Sequence, residues 1–446
     1  MDDIVLFPGC MISYRLPFIE VSVKKALEHF EINYWENEKF SCCPEPNGIK
    51  NTDSVLYSIT ASRNLALAET QEKDILTPCN GCFETLKGIR SELRVDSHFR
   101  EKMNNHLSEI NLKVEGDSDV FHLVEFFHQL GSDTIKEKIK YPLTSLKVAV
   151  HYGCHFLRPS NKIQMDDPME PHIFDKLIED LGAKSVDYIH KMDCCGGSLE
   201  RAGNSDAGLE MIHSKLESIK EVGADAIVVG CPQCFMQFDH LQRELKRLDY
   251  EFDIPVFYYS ELLCIALGID IRDIIKKYHR TPVEKIFAKI DSIHEKNKEI
   301  KKYFDVEFLK ECYSCGACNS DCPVAKYMPQ TFNPQEIVKK ILNGRLEQVL
   351  TDSSIWLCLD CYVCYELCPM RVGLVEIFTT LRNLAQNKGN STDGFSQEIE
   401  AFKKMGTVAM FSKSARKRVG LKSKKPELED LKILINKLEK KVREPY

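Results

Sequence analysis

Two cysteine runs in the last third of the chain have the spacing of iron-sulfur ligands. They are "CYSCGACNSDCP", residues 312–323, and "CLDCYVCYELCP", residues 358–369. Both read C-x2-C-x2-C-x3-C-P, in which the fourth cysteine usually ligates the other of two [4Fe–4S] clusters. Zinc sites use two C-x2-C pairs instead. The runs therefore predict two cubane clusters, one held by Cys312, Cys315, Cys318 and Cys368 and the other by Cys358, Cys361, Cys364 and Cys322.

Ten further cysteines form two sets of five with nearly the same spacing. The first set is Cys10, Cys42, Cys43, Cys79 and Cys82, and the second set is Cys154, Cys194, Cys195, Cys231 and Cys234. Written as spacings these are C-x31-CC-x35-C-x2-C and C-x39-CC-x35-C-x2-C, which indicates a structural duplication. Five thiols exceed the four corners of one regular cluster. From the spacing alone each set fits zinc, a regular cluster with a spare thiol, or a redox dithiol.

The segments around the two sets also repeat, and they indicate the elements that position the thiols. "DIVLFPGC" matches "KVAVHYGC", "DILTPCNGC" matches "AIVVGCPQC", and "VFHLVEFF" matches "VFYYSELL". Helical patterns such as "GLEMIHSKLESIKEVGA" separate these strand-like segments, so we expect parallel sheets covered by helices. In that layout each cysteine set follows the carboxyl end of a strand, where open α/β sheets bind ligands. The remaining cysteine, Cys264, lies in an apolar helical pattern and is predicted to be a buried core thiol.

Composition limits the classes of protein to which the chain can belong. Its 446 residues suffice for two or three domains, and its net charge of −7 gives no general attraction to nucleic acid. The amino terminus lacks the features of a secretory signal, and no apolar run approaches the ~18 residues of a membrane span. We therefore expect a cytoplasmic protein whose 19 cysteines serve metal or redox chemistry and not a disulfide framework.

Together the motifs resemble heterodisulfide reductase. The paired five-cysteine units resemble the "CCG" domains of its B subunit, and residues 300 to about 390 resemble its C subunit, so the chain resembles a fusion of the two. The resemblance implies an α/β fold with two duplicated Rossmann-like CCG units, followed by an all-α ferredoxin-type two-cluster domain. The expected domains are a first CCG unit over residues 1–140, a second over 141–280, the ferredoxin-type domain with its helical linker over 281–390, and a basic helical tail over 391–446.

The resemblance also implies the cofactors of the duplicated sets. In that family each CCG set binds one noncubane [4Fe–4S] cluster through all five cysteines, which gives this chain two noncubane and two cubane clusters. Gly196 and Gly197 would let the backbone approach the cluster after Cys194 and Cys195. The first unit departs from the motif, because Pro44 follows its cysteine pair.

The implied reaction is reduction of a small-molecule disulfide to two thiols, with each sulfur meeting an iron of one noncubane cluster. The cubane clusters would supply electrons one at a time. Beside Cys154, His155 is the candidate proton donor and Arg158 a candidate site for an anionic group of the substrate; Lys191 is a weaker candidate. In methanogens the family's substrate is the mixed disulfide of coenzyme M and coenzyme B.

The expected partner is a flavin-containing A-type subunit, with or without a hydrogenase or formate dehydrogenase, in a hetero-oligomer. No nucleotide-binding motif is present in the sequence, so we expect no flavin on this chain. Two alternatives remain. One is the iron-sulfur subunit of a glycolate, lactate or glycerol-phosphate dehydrogenase, in which the ferredoxin part usually precedes the CCG units, whereas here it follows them. The other is a non-catalytic electron relay.

Overall fold

The structure is a computed structural model that describes residues 4–144, 146–199, 201–306, 308–309, 317–369, 373–408, 413–420 and 428–439. The chain forms two compact units, residues 1–290 and 291–446. Cys312 and Cys315 lie outside the described residues. Among the helices that are described, none combines the length and apolar character that crossing a bilayer requires.

The first unit contains two four-stranded sheets in which every pairing is parallel. The strands are β1 Ile4–Leu6, β2 Tyr34–Glu36, β3 Asp74–Thr77 and β4 Val120–His122 in one sheet, and β5 Lys147–His151, β6 Lys184–Val186, β7 Ala226–Val229 and β8 Val256–Tyr258 in the other. Their spatial orders are β2-β1-β3-β4 and β6-β5-β7-β8. The order reverses between the first and third strands of each sheet, and such a reversal opens a crevice at the carboxyl ends of the strands.

Helices connect and cover the strands. They are α1 Gly9–Arg15, α2 Pro17–His29, α3 Ile49–Thr52, α4 Ser54–Glu69, α5 Asn80–Val95, α6 Ser97–Leu107, α7 Leu123–Leu130, α8 Ser132–Lys138, α9 Ser160–Ile163, α10 Ile173–Asp180, α11 Ser205–Glu221, α12 Pro232–Lys246, α13 Tyr259–Leu267, α14 Arg272–Tyr278 and α15 Glu284–Ile300, with a 3-10 turn at Ser108–Ile110. Because helices shield both faces, central strands such as "AIVV" in β7 are buried at every residue.

The two halves of this unit pack together through one hydrophobic core, and the packing is reciprocal. Helix α2 of the first half packs on α13 of the second half, and α10 of the second half packs on α7 of the first. Ser22 and Ser260 share a buried hydrogen bond of 2.6 Å across the first of these contacts. Cys264 is fully buried, as predicted, and its thiol donates to the Ser22 carbonyl at 3.2 Å. The two repeats therefore form one closely packed body with an approximate twofold relation.

Where it is described, the second unit is helical and has a core of its own. Its helices are Ala317–Asp321, Pro323–Tyr327, Pro334–Leu342, Leu346–Leu350, Val363–Glu366, Leu374–Asn387, Asp393–Met405, Lys413–Arg418 and Glu429–Glu439, with a 3-10 turn at Ser353–Leu357. Apolar residues such as Ile341, Val349 and Leu381 fill the core. The predicted fold class, duplicated parallel α/β units followed by a helical domain, is confirmed.

Candidate functional site

The first five-cysteine set lies at the carboxyl edge of the first sheet. Cys10 follows β1 and lies in the first turn of helix α1, and Cys42 and Cys43 lie in the loop after β2. Cys79 follows β3 and caps helix α5, whose first turn carries Cys82. Because β1 and β3 flank the reversal of strand order, the loops after them converge on the crevice there.

The second set repeats this arrangement on the second sheet. Cys154 follows β5, and Cys194 and Cys195 lie in the loop after β6. Cys231 follows β7 and caps helix α12, and Cys234 lies in the first turn of that helix. Each set of five thiols therefore converges at one sheet edge, as the spacing predicted.

The ten thiols form one continuous chain that passes from one set to the other. Cys10 and Cys42 are 3.5 Å apart between sulfurs, and the same distance separates Cys195 from Cys234. The order of thiols within hydrogen-bonding reach is Cys10, Cys42, Cys43, Cys82, Cys79, Cys231, Cys234, Cys195, Cys194 and Cys154. Equivalent cysteines of the two halves occupy mirror positions in this order. The sets therefore meet at Cys79 and Cys231, on the approximate twofold axis.

Burial differs systematically along this chain of thiols. The C-x2-C cysteines of both halves are buried, and these include Cys79 and Cys231 where the sets meet. Toward the two ends of the chain the thiols become more accessible: Cys10 and Cys154 are partly exposed, and Cys194 is exposed. The sites are therefore closed at their junction and open to solvent at the opposite ends.

Crowding of the thiols shifts their pKa values in opposite directions. Cys194 accepts hydrogen bonds from Cys154 and Cys195, which lowers the pKa of Cys194, while donation to Cys194 raises the pKa of Cys154 and of Cys195. In the first set Cys43 has the lowered pKa, because Cys42 and Cys82 donate to it. Without a cation only some of these thiols ionise. Iron would hold all of them as thiolates, the form that binds metal, so the donor sets fit iron-sulfur clusters.

A glycine precedes the first cysteine of each set because neighbouring side chains occupy the space that a Cβ would need. Gly9 has a φ of +76°, and a Cβ at this position would lie 2.6 Å from the sulfur of Cys82. Gly153, its counterpart, also has a φ of +76°, and a Cβ there would lie 2.6 Å from Nδ2 of Asn80 and 3.4 Å from the sulfur of Cys234. Both the positive φ and the close approach require glycine.

Two crossed hydrogen bonds fix the junction of the sets. His122, the last residue of β4, contacts the Gly230 carbonyl of the other half at 3.1 Å through Nε2. Its Nδ1 accepts from the backbone N–H of Val124, so Nε2 carries the proton and donates. Tyr258, the last residue of β8, donates in return to the Pro78 carbonyl.

These two bonds hold the residues that directly precede Cys231 and Cys79. The sequence interpretation did not single out either side chain. The signal was the match of "VFHLVEFF" with "VFYYSELL", which pairs His122 with Tyr258.

His155, the predicted proton donor, lies at the contact between the halves. Its Nδ1 is 3.7 Å from Oε2 of Glu84, and its Nε2 is 3.5 Å from Nδ2 of Asn47. Oε2 of Glu84 is buried and has no hydrogen-bond partner among the described residues, whereas Oε1 pairs with Lys50 at 3.1 Å. The side chain of His155 is 31% exposed, so it borders solvent beside Cys154.

The other two candidates are engaged in local contacts. Nε and one Nη of Arg158 donate to the Pro168 carbonyl at 3.1 and 2.9 Å. Lys191 pairs with Asp175 at 2.9 Å. Arg158 lies close enough to Cys154 to lower the pKa of that thiol in part, against the larger effects of Cys194 and burial.

A buried lysine that the sequence interpretation missed holds the loop of the second cysteine pair. Lys215, on α11, donates to the carbonyls of Asp193 at 2.7 Å and His190 at 2.5 Å, and contacts Nδ1 of His151 at 3.3 Å. Burial lowers the pKa of Lys215 to about 8, against the opposing pull of Asp193 and nearby thiols. In the first half Asn64 of α4 holds the corresponding loop, since it donates to the Cys42 carbonyl at 3.0 Å.

In the second unit four cysteines line a small cavity of about 20 Å³. The cysteines that line this cavity are Cys322, Cys358, Cys361 and Cys364. Apolar residues such as Phe332 and Phe378 form the rest of its lining. These four thiols are the set that the sequence assigned to one cubane cluster. Of the other assigned set, Cys318 and Cys368 are partly buried and pack against the core of this unit, and Cys312 and Cys315 lie outside the described residues.

Arg382 holds the loop that carries Cys358. Its guanidinium donates to the carbonyls of Ile355 at 3.0 Å and Cys358 at 2.6 Å, and pairs with Asp360 at 3.1 Å. These bonds fix the loop at the edge of the cavity.

Comparisons with known proteins agree with this geometry. Residues 4–87 and 148–239 match the family described as a cysteine-rich domain, CCG, and residues 308–372 match the 4Fe-4S dicluster domain. Over 271 residues the chain is 42% identical to the B subunit of the ferredoxin:CoB-CoM heterodisulfide reductase of Methanosarcina mazei, a match that covers 60% of this chain and 90% of that protein.

A second relative matches the other part of the chain. Over 143 residues the chain is 33% identical to the second C-type iron-sulfur subunit of the CoB-CoM heterodisulfide reductase of Methanocaldococcus jannaschii, a match that covers 30% of this chain and 75% of that protein. A crystal structure of a hypothetical protein from Helicobacter pylori superposes with a TM-score of 0.52 at 15% identity, over 63% of this chain and 52% of that one, and shows the fold alone. From the two matches together, the chain belongs to the heterodisulfide reductase family of iron-sulfur oxidoreductases, with a B-type part and a C-type part joined in one polypeptide.

Proposed function

We propose that the chain reduces a mixed disulfide of two thiol cofactors, such as that of coenzyme M and coenzyme B, at two noncubane [4Fe–4S] clusters held by the five-cysteine sets. The relatives' names supply the substrate class. When bound, the clusters would supply one electron each, which with two protons converts one S–S bond into two thiols. The chain's own residues have to place both clusters against one substrate and provide the protons.

The observation that carries the proposal is the chain of ten thiols with its midpoint at Cys79 and Cys231. Two one-electron centres can share one disulfide only if they lie side by side in a fixed relation. The crossed bonds of His122 and Tyr258 supply that relation, since each holds the backbone beside the junction from the opposite half.

The face available to a substrate is the solvent-exposed side of the sets, because the junction is buried. There the loop after Cys43 meets the loop after Cys195: Glu45 pairs with Arg201 at 3.0 Å, and Asn47 donates to Ser198 at 2.8 Å. His155 borders this face, and we propose it as a proton donor.

We also propose that the positive charge of Arg158 attracts an anionic group of the substrate. In the structure the Arg158 guanidinium donates to the Pro168 carbonyl. A substrate would then be held at the same face on which His155 lies.

In the second unit, we propose two cubane clusters, one held by Cys358, Cys361, Cys364 and Cys322 and one by Cys312, Cys315, Cys318 and Cys368. The cavity that the first four thiols line supports their grouping, and its apolar walls limit access of water. These clusters would pass electrons from a partner, for which we propose a flavin-containing A-type subunit in a hetero-oligomer.

The test is anaerobic reduction of the coenzyme M and coenzyme B mixed disulfide by an artificial donor, compared with other disulfides. Cys195→Ser should abolish disulfide reduction and leave the cubane signals in electron paramagnetic resonance spectra unchanged. The matched control is Cys264→Ala, which removes a buried thiol outside both sets and should keep activity. Spectra of the wild type that are unaffected by added thiols, with no turnover of any disulfide, would instead support a relay.

A further inference from the structure

The two five-cysteine sets have equivalent ligands, but the groups packed behind them differ. In the second half, His151 ends β5 and Lys215 lies on α11, and each is only 1% exposed. The repeated segments "DIVLFPGC" and "KVAVHYGC" place Phe7 at the position of His151 in the first half. Phe7 is equally buried, at 1% exposure, and packs against Phe40 with 4.9 Å between ring centroids.

Lys215 is held in the interior as an ammonium group. Its Nζ is surrounded by acceptors: the carbonyls of His190 at 2.5 Å, Asp193 at 2.7 Å and Lys191 at 3.4 Å, and Nδ1 of His151 at 3.3 Å. A buried amine with this many acceptors is best satisfied when it carries all three of its protons. The second half therefore keeps one positive charge beside the loop of Cys194 and Cys195.

His151 lies between Lys215 and the thiols of the second set. Because an ammonium group only donates, Nδ1 of His151 has to accept, and the single proton of the neutral ring lies on Nε2. Nε2 is buried and has no hydrogen-bond partner among the described residues. A ring nitrogen of His151 lies within 4.8 Å of the sulfurs of both Cys195 and Cys234. The Nε2–H has no partner among the described residues and is therefore available to a group bound against these sulfurs.

At the corresponding places the first half has the neutral side chains Phe7 and Asn64, and Arg63 donates to Oδ1 of Asn64 at 3.4 Å. Asn64, fully buried, holds the loop of the cysteine pair through the Cys42 carbonyl at 3.0 Å and the Ser41 N–H at 3.2 Å. Phe7 has no N–H to offer. Hydrogen bonds to the sulfurs and local charge are the main means by which a protein sets the reduction potential of an iron-sulfur cluster.

We propose that His151 and Lys215 stabilise the reduced state of the cluster held by the second set, so that this cluster accepts the first electron and the first-set cluster the second. The inference depends on the proposed function only in that both sets hold clusters. In each step one electron leaves a one-electron donor and enters one cluster, and no bond forms or breaks. His151 would donate to the bound cluster, and Lys215, 3.3 Å from Nδ1 of His151, would act through His151 as a positioning residue.

The experiment is a potentiometric titration of the anaerobic full-length protein, followed by electron paramagnetic resonance. Cys43→Ser and Cys195→Ser, each lacking one ligand, identify the signals of the first and second sets. In the wild type we expect the second-set cluster to be reduced at the higher potential. His151→Phe places the residue of the first half at this position. This variant and Lys215→Gln should each reduce the difference in potential between the two clusters by about 59 mV, which is a tenfold change in the equilibrium constant for one electron.

Two controls separate charge from packing. Lys215→Arg should retain the wild-type potential of the second set. Lys220→Gln should retain it too, since Lys220 lies on the same helix but its exposed end contacts the Glu251 carbonyl and the Phe252 ring and not the cysteine loop. If Lys215→Gln fails to hold iron, the order of potentials in the wild type still decides. A first-set cluster that is reduced first, or potentials unchanged in His151→Phe, would overturn the inference. Absence of iron and sulfide from both sets would instead overturn the proposed function.

Discussion

Substitution of Gly9 by alanine tests whether the glycine before the first cysteine is required to seat a ligand. The backbone at Gly9 has a φ of +76°, and a left-handed conformation costs a residue with a Cβ roughly 1–2 kcal/mol. The added Cβ would also lie 2.6 Å from the sulfur of Cys82, well inside contact distance, and overpacking of this kind costs about 1–3 kcal/mol. The total is therefore roughly 2–5 kcal/mol, which is relieved most directly by displacement of the Cys82 thiol.

A displaced Cys82 thiol would lose its contacts with Cys43 and Cys79 and could no longer act as the fifth ligand of the first set. We expect Gly9→Ala to lose the iron of one cluster, about four of the roughly sixteen atoms that four [4Fe–4S] clusters contain. The matched control is Gly203→Ala, since Gly203 has a φ of +79° and nothing within 4 Å of a Cβ. It carries the same backbone strain without the overlap and should keep its iron. Equal iron and sulfide contents in the two purified variants would refute the reasoning.

Three further predictions concern groups that stabilise each part of the fold. Tyr258→Phe leaves the buried Pro78 carbonyl without its donor and should lower the free energy of unfolding by about 1–3 kcal/mol, measured by anaerobic urea unfolding. Burial lowers the pKa of His279, but the Glu261 carboxylate at 2.9 Å and nearby Asp239 raise it more, so it lies above 6.5. This pair should stabilise the protein fully below pH 6.5 and progressively less as pH rises through the raised pKa, and Glu261→Gln should remove that dependence of the melting temperature. Arg382→Gln should lower the iron content of the second unit, because the loop of Cys358 loses three donors.

Each of these has an outcome that contradicts it. Tyr250→Phe, at a tyrosine that is 46% exposed, is the control for Tyr258→Phe, and equal unfolding midpoints would show that the crossed bond adds no stability. For His279, a melting temperature with the same pH profile in the wild type and in Glu261→Gln would contradict the assigned charge state. For Arg382, unchanged cubane signals would mean that the loop holds its shape without the guanidinium.

Sequence reasoning located the cysteines well because their placement follows from local rules. Parallel strands bring their carboxyl ends to one edge, so the loops after β1, β2 and β3 had to converge wherever the sheet order placed them. Repetition of the spacing then fixed the second half from the first. The burial of Cys264 followed from the helical period of the apolar residues around it.

The contacts between the halves could not be predicted in the same way. A repeat shows that two units are alike but not which faces they present to each other, so the junction of Cys79 with Cys231 depends on packing of α2, α7, α10 and α13. Lys215 was overlooked because lysine is seldom buried. It does lie beside Ile212, Leu216 and Ile219 on the buried stripe of its helix, which was the available signal.

The duplication suits the two-electron reaction that we propose. The two copies of the site place equivalent cysteines in the same order outward from the junction, so the arrangement of the ligands makes both sites alike. In the proposed reaction electrons arrive one at a time, and two clusters of identical potential would accept the first electron equally well. Replacement of Phe7 and Asn64 by His151 and Lys215 breaks that equivalence in the groups behind the ligands and leaves the ligands themselves unchanged. Selection for an ordered arrival of electrons would act on such positions, because they alter the energy of reduction without moving the iron.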